Sequence, residues 1–395
     1  MSPAAGPLDQ SPPSLATALR EWGRIGCIGF GGPPTHIKLL RDLCVDRQRW
    51  LSPVEFDDAV AACNLLPGPA STQLAIFCAW KVRGRVGALV GGAAFIVPGL
   101  IVILALAAVF LASAPPRFVL AAGAGAGSAV AAVAVHAALG LLPASWHRAR
   151  DAGKLPLLRW SGYLAAGVLA AATLGPWVVL VLLGCGAIEL VVRRSRTPGR
   201  RTSGFTPVPF LVTGAITGGV VTSLVWVAFK VGALSYGGGF VIIPLMQSDA
   251  VNHYHWMTGN QFLNAVALGQ ITPGPVVQTV AVVGYAAAGL VGGLIAAAVA
   301  FSPSFAFVLL GAPHFDRLRA NTRVRAFLDG AGPAAIGAIG GSAITLARAL
   351  SQPWQYAVLA AAAILLLVLR RGVVVTLLAA AAAGVVLVGI GLALP

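Results

Sequence analysis

Apolar stretches long enough to cross a bilayer, about 20 residues each, recur along the chain between short polar connections. Residues 86–112, 118–142, 291–311, 326–347, 354–369 and 372–394 read as uninterrupted segments. Three others are broken: 15–40 at Gly31-Gly32-Pro33-Pro34, 59–80 at Pro67-Gly68-Pro69, and 160–192 at Gly175-Pro176, which divides it into two short pieces. Residues 41–58 read as a polar connection, and residues 1–14, rich in proline and without a signal peptide's apolar core, as a disordered tail.

The breaks are stated twice. Gly29-Phe30-Gly31-Gly32-Pro33 and Leu66-Pro67-Gly68-Pro69 return as Ser235-Tyr236-Gly237-Gly238-Gly239 and Thr272-Pro273-Gly274-Pro275, each 206 positions later. The same offset of 206 joins Gly26 to Gly232, Trp50 to Trp256, Gly87 to Gly293 and Phe95 to Phe301, and no gap is needed over residues 22–95. This is an internal repeat. It divides the chain into a first unit at 15–192, a basic linker at 193–207 with Arg193, Arg194, Arg196, Arg200 and Arg201, and a second unit at 208–395.

Composition adds the solvent. Of the 395 residues, 58% are hydrophobic and 10% charged, against about 25% charged in soluble chains. The fold class is therefore an all-α polytopic membrane protein in a lipid bilayer. The net charge of +15 would suggest nucleic acid in a soluble protein, but here most Lys and Arg sit in short loops, where they orient the spans. No nucleic-acid partner is expected. The five cysteines include no C-x-x-C pair and read as packing residues, so neither a metal site nor a cofactor is implied.

Loop charge orients the two units. The connections after the first two breaks carry Arg41, Arg47, Arg49, Lys81, Arg83 and Arg85, whereas residues 247–261 and 286–290 carry no Lys or Arg. The next loop reverses this, with only Arg117 in the first unit but Arg317, Arg319, Arg323 and Arg325 in the second. Because Lys and Arg mark the cytoplasmic side, the units are expected to be inverted-topology repeats, as in many secondary transporters. The broken segments would then dip in and return as re-entrant hairpins, with 208–226 as the extra crossing. A rival reading has the broken segments span fully.

Irregular backbone at membrane depth survives only inside protein or against a watery cavity. The flexible Gly31-Gly32 and Gly237-Gly238 would let amides approach a ligand. In Pro67-Gly68-Pro69, Gly68 suits the N-cap and Pro69 the first helical position. The amides of Ala70, Ser71 and Thr72 would then face an anion, with two added hydroxyls. Gly274 and Pro275, with the amides of Val276, Val277 and Gln278, would do the same in the second unit. Packed kinks are the competing explanation. Arg24 and Lys230 share one repeat position, and two cations near a pseudo-twofold axis would suit a dianion, unless each snorkels from a helix end. For proton coupling, His36 has the best location and a suitable ordinary pKa. Glu21 and Asp249 are weaker choices, Glu189 reads as a terminal ion pair with Arg193, and His136 as packing.

The duplicated pairing of Gly29-Phe30-Gly31-Gly32-Pro33 with Leu66-Pro67-Gly68-Pro69-x-x-Thr72-x-Leu74-Ala75 resembles the chromate ion transporter family in its long, two-domain form. The resemblance covers essentially the whole chain after the tail. It implies export of chromate, a tetrahedral dianion like sulfate, from the bacterial cytoplasm across the inner membrane, driven by the proton motive force and conferring chromate resistance. Protons and the oxyanion are the partners it implies, and a homodimer is one assembly it permits. The substrate positions it carries over are Phe30, Gly31, Gly32, Pro33, Pro67, Gly68, Pro69, Ser71 and Thr72. Many members of the family carry Glu at the position of Gln73, which makes Gln73 a neutral occupant of a proton-coupling position. The second unit departs from the pattern, with Gly239 for Pro33 and Thr272 for Leu66.

The same physics fits a carrier of sulfate or another small anion. A membrane-embedded enzyme would need a catalytic constellation, and the chain has no H-E-x-x-H, nucleotide fingerprint or Walker loop.

Overall fold

The computed structural model describes residues 13–63, 66, 68–194, 219–235, 240–312 and 321–395. Among these every regular element is helical, and five helices are long and apolar enough to cross a membrane. The expected tail up to residue 12, most of the linker and residues 208–218 of the proposed extra crossing lie outside the described residues.

The first unit opens with two helical hairpins. Helix α1 (Leu15–Ile28) starts on the Ser14 side chain, which accepts the Thr17 N–H, and ends at Gly29. Gly31 (φ 98°) and Gly32 (φ 76°) turn the chain through conformations that favour glycine, and Pro33 begins α2 (Pro33–Arg41). The chain after α2 returns beside α1: Trp50 stacks on Trp22 at 5.9 Å, and Arg47 lies 3.9 Å from Glu21.

The second hairpin begins earlier than its apolar pattern, at α3 (Pro53–Cys63). Ser52 and Glu55 cap each other, the Ser52 N–H donating to Glu55 at 3.0 Å and the Glu55 N–H to Ser52 Oγ at 3.2 Å. Residues 53–58, three of them acidic, are thereby drawn into the helix, a correction to the connection expected over 41–58.

Helix α4 (Ala70–Phe110) is not one rod, because Arg83 (φ −141°) and Gly84 (φ 63°) leave helical geometry. The chain folds back there: a Cβ at Gly91 would meet Ala79 and one at Gly92 would meet Ile76. Residues 70–82 thus form an arm of about 20 Å, and 85–110 a limb of about 39 Å. Lys81 sits 3.7 Å from Glu55, so the far ends of α3 and the short arm meet. Each arm spans half to two-thirds of the roughly 30 Å hydrocarbon core.

The remainder of the first unit is α5 (Arg117–Asp151), α6 (Lys154–Thr173) and α7 (Val178–Arg194). The expected division at Gly175-Pro176 is present as a 3₁₀ turn, Gly175–Trp177.

The second unit repeats the plan with α8 (Val220–Leu234), α9 (Ile243–Gln247), α10 (Gly259–Ile271), α11 (Thr279–Gly311), α12 (Thr322–Arg348), α13 (Pro353–Ala363) and α14 (Val373–Gly389). Helix α11 folds back at Ala288 (φ −151°) and Gly289 (φ 64°). Small residues let helices pack closely within each unit. A Cβ at Gly26 would stand 2.6 Å from the Phe95 carbonyl oxygen, and one at Gly232 would strike the Ala300 carbonyl.

These landmarks correct the ungapped register. The offset is 206 as far as Pro69 and Pro275, but 205 for the kinks (Arg83 and Ala288, Gly84 and Gly289) and for Pro98 and Pro303. Gly87 and Phe95 therefore correspond to Gly292 and Ala300, in place of the sequence pairing with Gly293 and Phe301. The lost residue lies at the helix start, where the second unit enters through the 3₁₀ turn Val276–Gln278. After it, Gln73 and Gln278 are equivalent, as are Gly99 and Ser304.

The outer limbs of α4 and α11 pack on each other. Gly92 lies against Phe305 and Gly293 against Leu104, so these two equivalent limbs run antiparallel.

Candidate functional site

The breaks converge at the contact between units. Gly68 N–H donates to the Ser235 carbonyl at 2.7 Å, and Gly274 N–H donates to the Gly29 carbonyl at 3.0 Å. Gly274 is the repeat partner of Gly68, and Ser235 of Gly29, so each unit's second break is held by the other unit's first. The reciprocity is that of a pseudo-twofold axis. Gly68 (φ 121°) and Gly274 (φ 99°) both adopt positive φ, which exposes the amide to its partner without a Cβ in the way.

The helix starts are shifted by one residue from the sequence reading. Pro69 and Pro275 are the N-caps, so Gly68 and Gly274 precede the cap. Thr72 N–H turns back to the Pro69 carbonyl at 2.9 Å, and Gln278 N–H to the Pro275 carbonyl at 2.9 Å. Thr72 and Gln278 therefore do not offer amides to a ligand as expected, because the tight first turn consumes them. Ala70 and Ser71 remain the leading amides in the first unit, and Val276 and Val277 in the second.

The two half-sites differ in chemistry. The residues about Gly68 include Ser304, Ser235, whose carbonyl accepts the Gly68 N–H, and Thr72 in the first helical turn that follows, all with fully buried side-chain hydroxyls. Ser304 Oγ lies 3.3 Å from the position a Cβ on Gly68 would take. These three oxygens have no hydrogen-bond partner among the described residues, a state that costs about 1–3 kcal/mol apiece unless a ligand or water satisfies them. Around Gly274 the equivalents of Ser71, Thr72, Ser235 and Ser304 are Val276, Val277, Gly29 and Gly99. That side is lined by apolar residues and packed backbone, with Gln278 Oε1 beside Gly274 buried and unpartnered among the described residues. A Cβ at Gly99 would strike the Pro273 carbonyl, and Gln278 Nε2 donates to the Ile96 carbonyl at 2.7 Å.

His36, on α2, is fully buried. Its Nε2 lies 2.8 Å from the Gly29 carbonyl and its Nδ1 3.2 Å from Ser71 Oγ. The Phe95 ring stands edge-to-face with it at 5.0 Å. Gln73 is buried beside Gly68, its Nε2 close to where a Cβ would lie.

The other expected residues are less involved. Phe30 is 42% exposed, and Gly31 is exposed while Gly32 is buried at the head of α2. Pro67, Tyr236, Gly237 and Gly238 lie outside the described residues. Lys230 Nζ is 2.6 Å from Asp249, with their side chains 16% and 10% exposed, and it stands over the Trp226 ring. Its charge is therefore met by protein, whereas Arg24 is exposed and makes no ion pair among the described residues. The structure does not bring them together as a matched pair of free cations. Glu21 is buried and paired with Arg20 at 3.3 Å and Arg47 at 3.9 Å. Glu189 is indeed ion-paired, accepting from Arg159 as well as Arg193, and from the Tyr163 hydroxyl.

Sequence reasoning missed Ser304 altogether and passed over Ser235. Ser235 opened the repeated phrase, but its serine replaces a glycine in the other copy. Ser304 follows Pro303 within a long apolar segment, and nothing local marks it.

Comparison with known proteins bears on this arrangement. The sequence profile of the family described as "Chromate transporter" matches residues 16–190 and 222–385. The chain belongs to the chromate transporter family. Among relatives of this transporter chain, the "Chromate transport protein" of Cupriavidus metallidurans is 32% identical, covering 87% of this chain and 86% of its own. That of Pseudomonas aeruginosa is 30% identical, over 86% and 83% of the two chains. The "Probable chromate transport protein" of Synechococcus elongatus is 29% identical, over 85% of each. No solved structure matches the chain.

Proposed function

We propose that this protein exports chromate from the cytoplasm across the inner membrane, driven by the proton motive force, and so confers chromate resistance. The observation that carries the reading is the Gly68 half-site: a broken-helix N-terminus with the buried, unpartnered Ser304 Oγ beside it, and with further buried, unpartnered hydroxyls on Thr72 and on Ser235, whose carbonyl holds Gly68. Helix N-termini and hydroxyl donors suit a tetrahedral oxyanion. Family membership supports chromate as that anion. The membrane potential contributes about 2.3 kcal/mol per charge per 100 mV, so an inside-negative potential pushes a dianion outward.

The two units act as inverted repeats. Equivalent limbs related by a pseudo-twofold and running antiparallel support an axis lying in the membrane plane. Introduced cysteines at Gln48 and Tyr254, in a background lacking the exposed Cys27, should label from opposite faces.

The functional test is uptake into proteoliposomes, with chromate, sulfate, membrane potential and pH gradient varied independently. Potential-dependent chromate flux is expected. Flux of sulfate alone would favour the carrier of another oxyanion, and failure with every tetrahedral oxyanion would overturn the proposal.

A further inference from the structure

His36 contacts both half-sites. Its Nε2 faces the Gly29 carbonyl, which also accepts the cross-unit bond from Gly274, and its Nδ1 faces Ser71, whose amide is among the leading donors of the Gly68 side. The hydrogen positions follow from valence. A carbonyl only accepts, so Nε2 carries a proton. In the neutral ring Nδ1 then has none and must accept from the Ser71 hydroxyl. Ser71's single hydroxyl proton is thereby committed to the ring and is not free for an anion.

A proton added at Nδ1 reverses that bond. Nδ1–H now donates to Ser71 Oγ, and the hydroxyl proton is released to rotate toward an anion. The ring's positive charge sits one residue contact behind it. We infer that His36 and Ser71 form a proton-set switch that gives the Gly68 half-site its last donor, so that one proton and one dianion bind together. The inference rests on the oxyanion reading of that half-site.

Among the described residues, the groups placed against the ring are the Gly29 carbonyl at the end of α1, the Ser71 hydroxyl of the short arm of α4, and the Phe95 ring of its outer limb. None of these titrates at physiological pH or carries charge, so the proton state of the ring is coupled to the anion rather than to a fixed neighbour. The second unit has no equivalent. Ile242 stands at the position of His36 and Val276 at that of Ser71. One switch per chain follows, and so does the stoichiometry. A proton that binds with chromate leaves with it, and the pair crosses as a net single negative charge. Of the proton motive force, only the electrical component acting on that net charge then drives export, and the pH component opposes it. This differs from proton exchange, in which proton and anion would compete for the site.

The test compares the full-length wild-type chain with His36→Gln and Ser71→Ala in nanodiscs and proteoliposomes. Glutamine can donate to Gly29 and accept from Ser71, so H36Q holds the neutral arrangement at every pH. Chromate binding is measured from pH 5.5 to 8, with proton uptake followed in weakly buffered solution. Chromate's own protonation is common to all three proteins and cancels in their ratio. Wild-type affinity relative to H36Q should fall by up to about tenfold per pH unit as His36 deprotonates, converging at high pH. H36Q and S71A should lose this component, and only wild type should take up about one extra proton per anion. The reversal potential should report about one net charge per chromate for wild type and about two for H36Q. Wild-type pH dependence and proton uptake in both variants would overturn the inference. S71A keeps the test open if H36Q fails to fold. If wild type binds no chromate at any pH, the proposed function fails instead.

Discussion

The Gly68 and Gly274 half-sites descend from one repeated phrase and share a backbone. Each has a glycine at positive φ, a proline N-cap and an amide donated to the other unit. Their side chains have diverged. One gathers Ser71, Thr72, Ser235, Ser304 and His36, and the other presents Val276, Val277, Gly29, Gly99 and Ile242. A pseudo-twofold thus supplies two equivalent frames without supplying two equivalent sites. The backbone frame is needed twice because each break holds the other. The proposed oxyanion site needs its donors only once, which is consistent with the apolar lining of the second frame.

The sharpest test of this contrast is Gly99→Ala. The added Cβ meets the Pro273 carbonyl, and backbone cannot retreat as a side chain can. A loss of about 3 kcal/mol, the upper end for overpacking, is expected as a lowered melting temperature in detergent. Normal stability of G99A would mean that the Gly274 side is not closely packed.

At the equivalent position, Ser304→Ala should leave folding intact and weaken chromate binding. A hydrogen bond to a charged group contributes about 1.5–3 kcal/mol, so the dissociation constant should rise at least about tenfold, as it should for Ser235→Ala. Unchanged affinity in both would remove the anion from the Gly68 side.

Lys230 and Asp249 form a smaller test. Removing either alone should cost about 2 kcal/mol, less than a fully buried pair, because both side chains retain some exposure. The double variant K230M/D249L should recover most of that stability and transport chromate normally. Strong loss of transport in a stable double variant would restore Lys230 as a substrate contact.

Val277→Thr adds a hydroxyl to the apolar half-site. Chromate affinity should change by less than about threefold, under 1 kcal/mol. A large gain would show that the second half-site also receives the anion.

The smallest effect is expected at the hairpin ends. Glu55 and Lys81 are 3.7 Å apart, with side chains 46% and 37% exposed, and a double-mutant cycle should give about 0.2–1 kcal/mol, falling with salt.

Much of this protein was legible beforehand for a physical reason. A bilayer demands long apolar helices and forbids unsatisfied backbone, so hydropathy announces the spans, and Gly/Pro breaks stand out against them. The repeat pointed to the breaks seen at Gly31-Gly32, at Gly68-Pro69 and at Gly274-Pro275, the fourth lying outside the described residues, and His36 was marked by lying just after one. Other features left no local trace. Lys230 looked like a free cation because its partner Asp249 is 19 residues away. The start of α3 was hidden because capping by Ser52 and Glu55 is polar. The single-residue shortening at Val276–Gln278 was masked by the abundance of Ala and Gly, which lets either register collect matches.

By itself, then, the sequence determined the solvent, the helical class and the places where the described helices break. Each of these depends on local composition or on comparing the chain with itself. Only the tertiary structure decided which breaks meet, that Gly68 binds Ser235 while Gly274 binds Gly29, and that Ser304 comes to lie beside Gly68. Those outcomes depend on contacts between residues some 170 to 245 positions apart. No local propensity encodes such contacts, since they are selected by close packing of small residues across the two units.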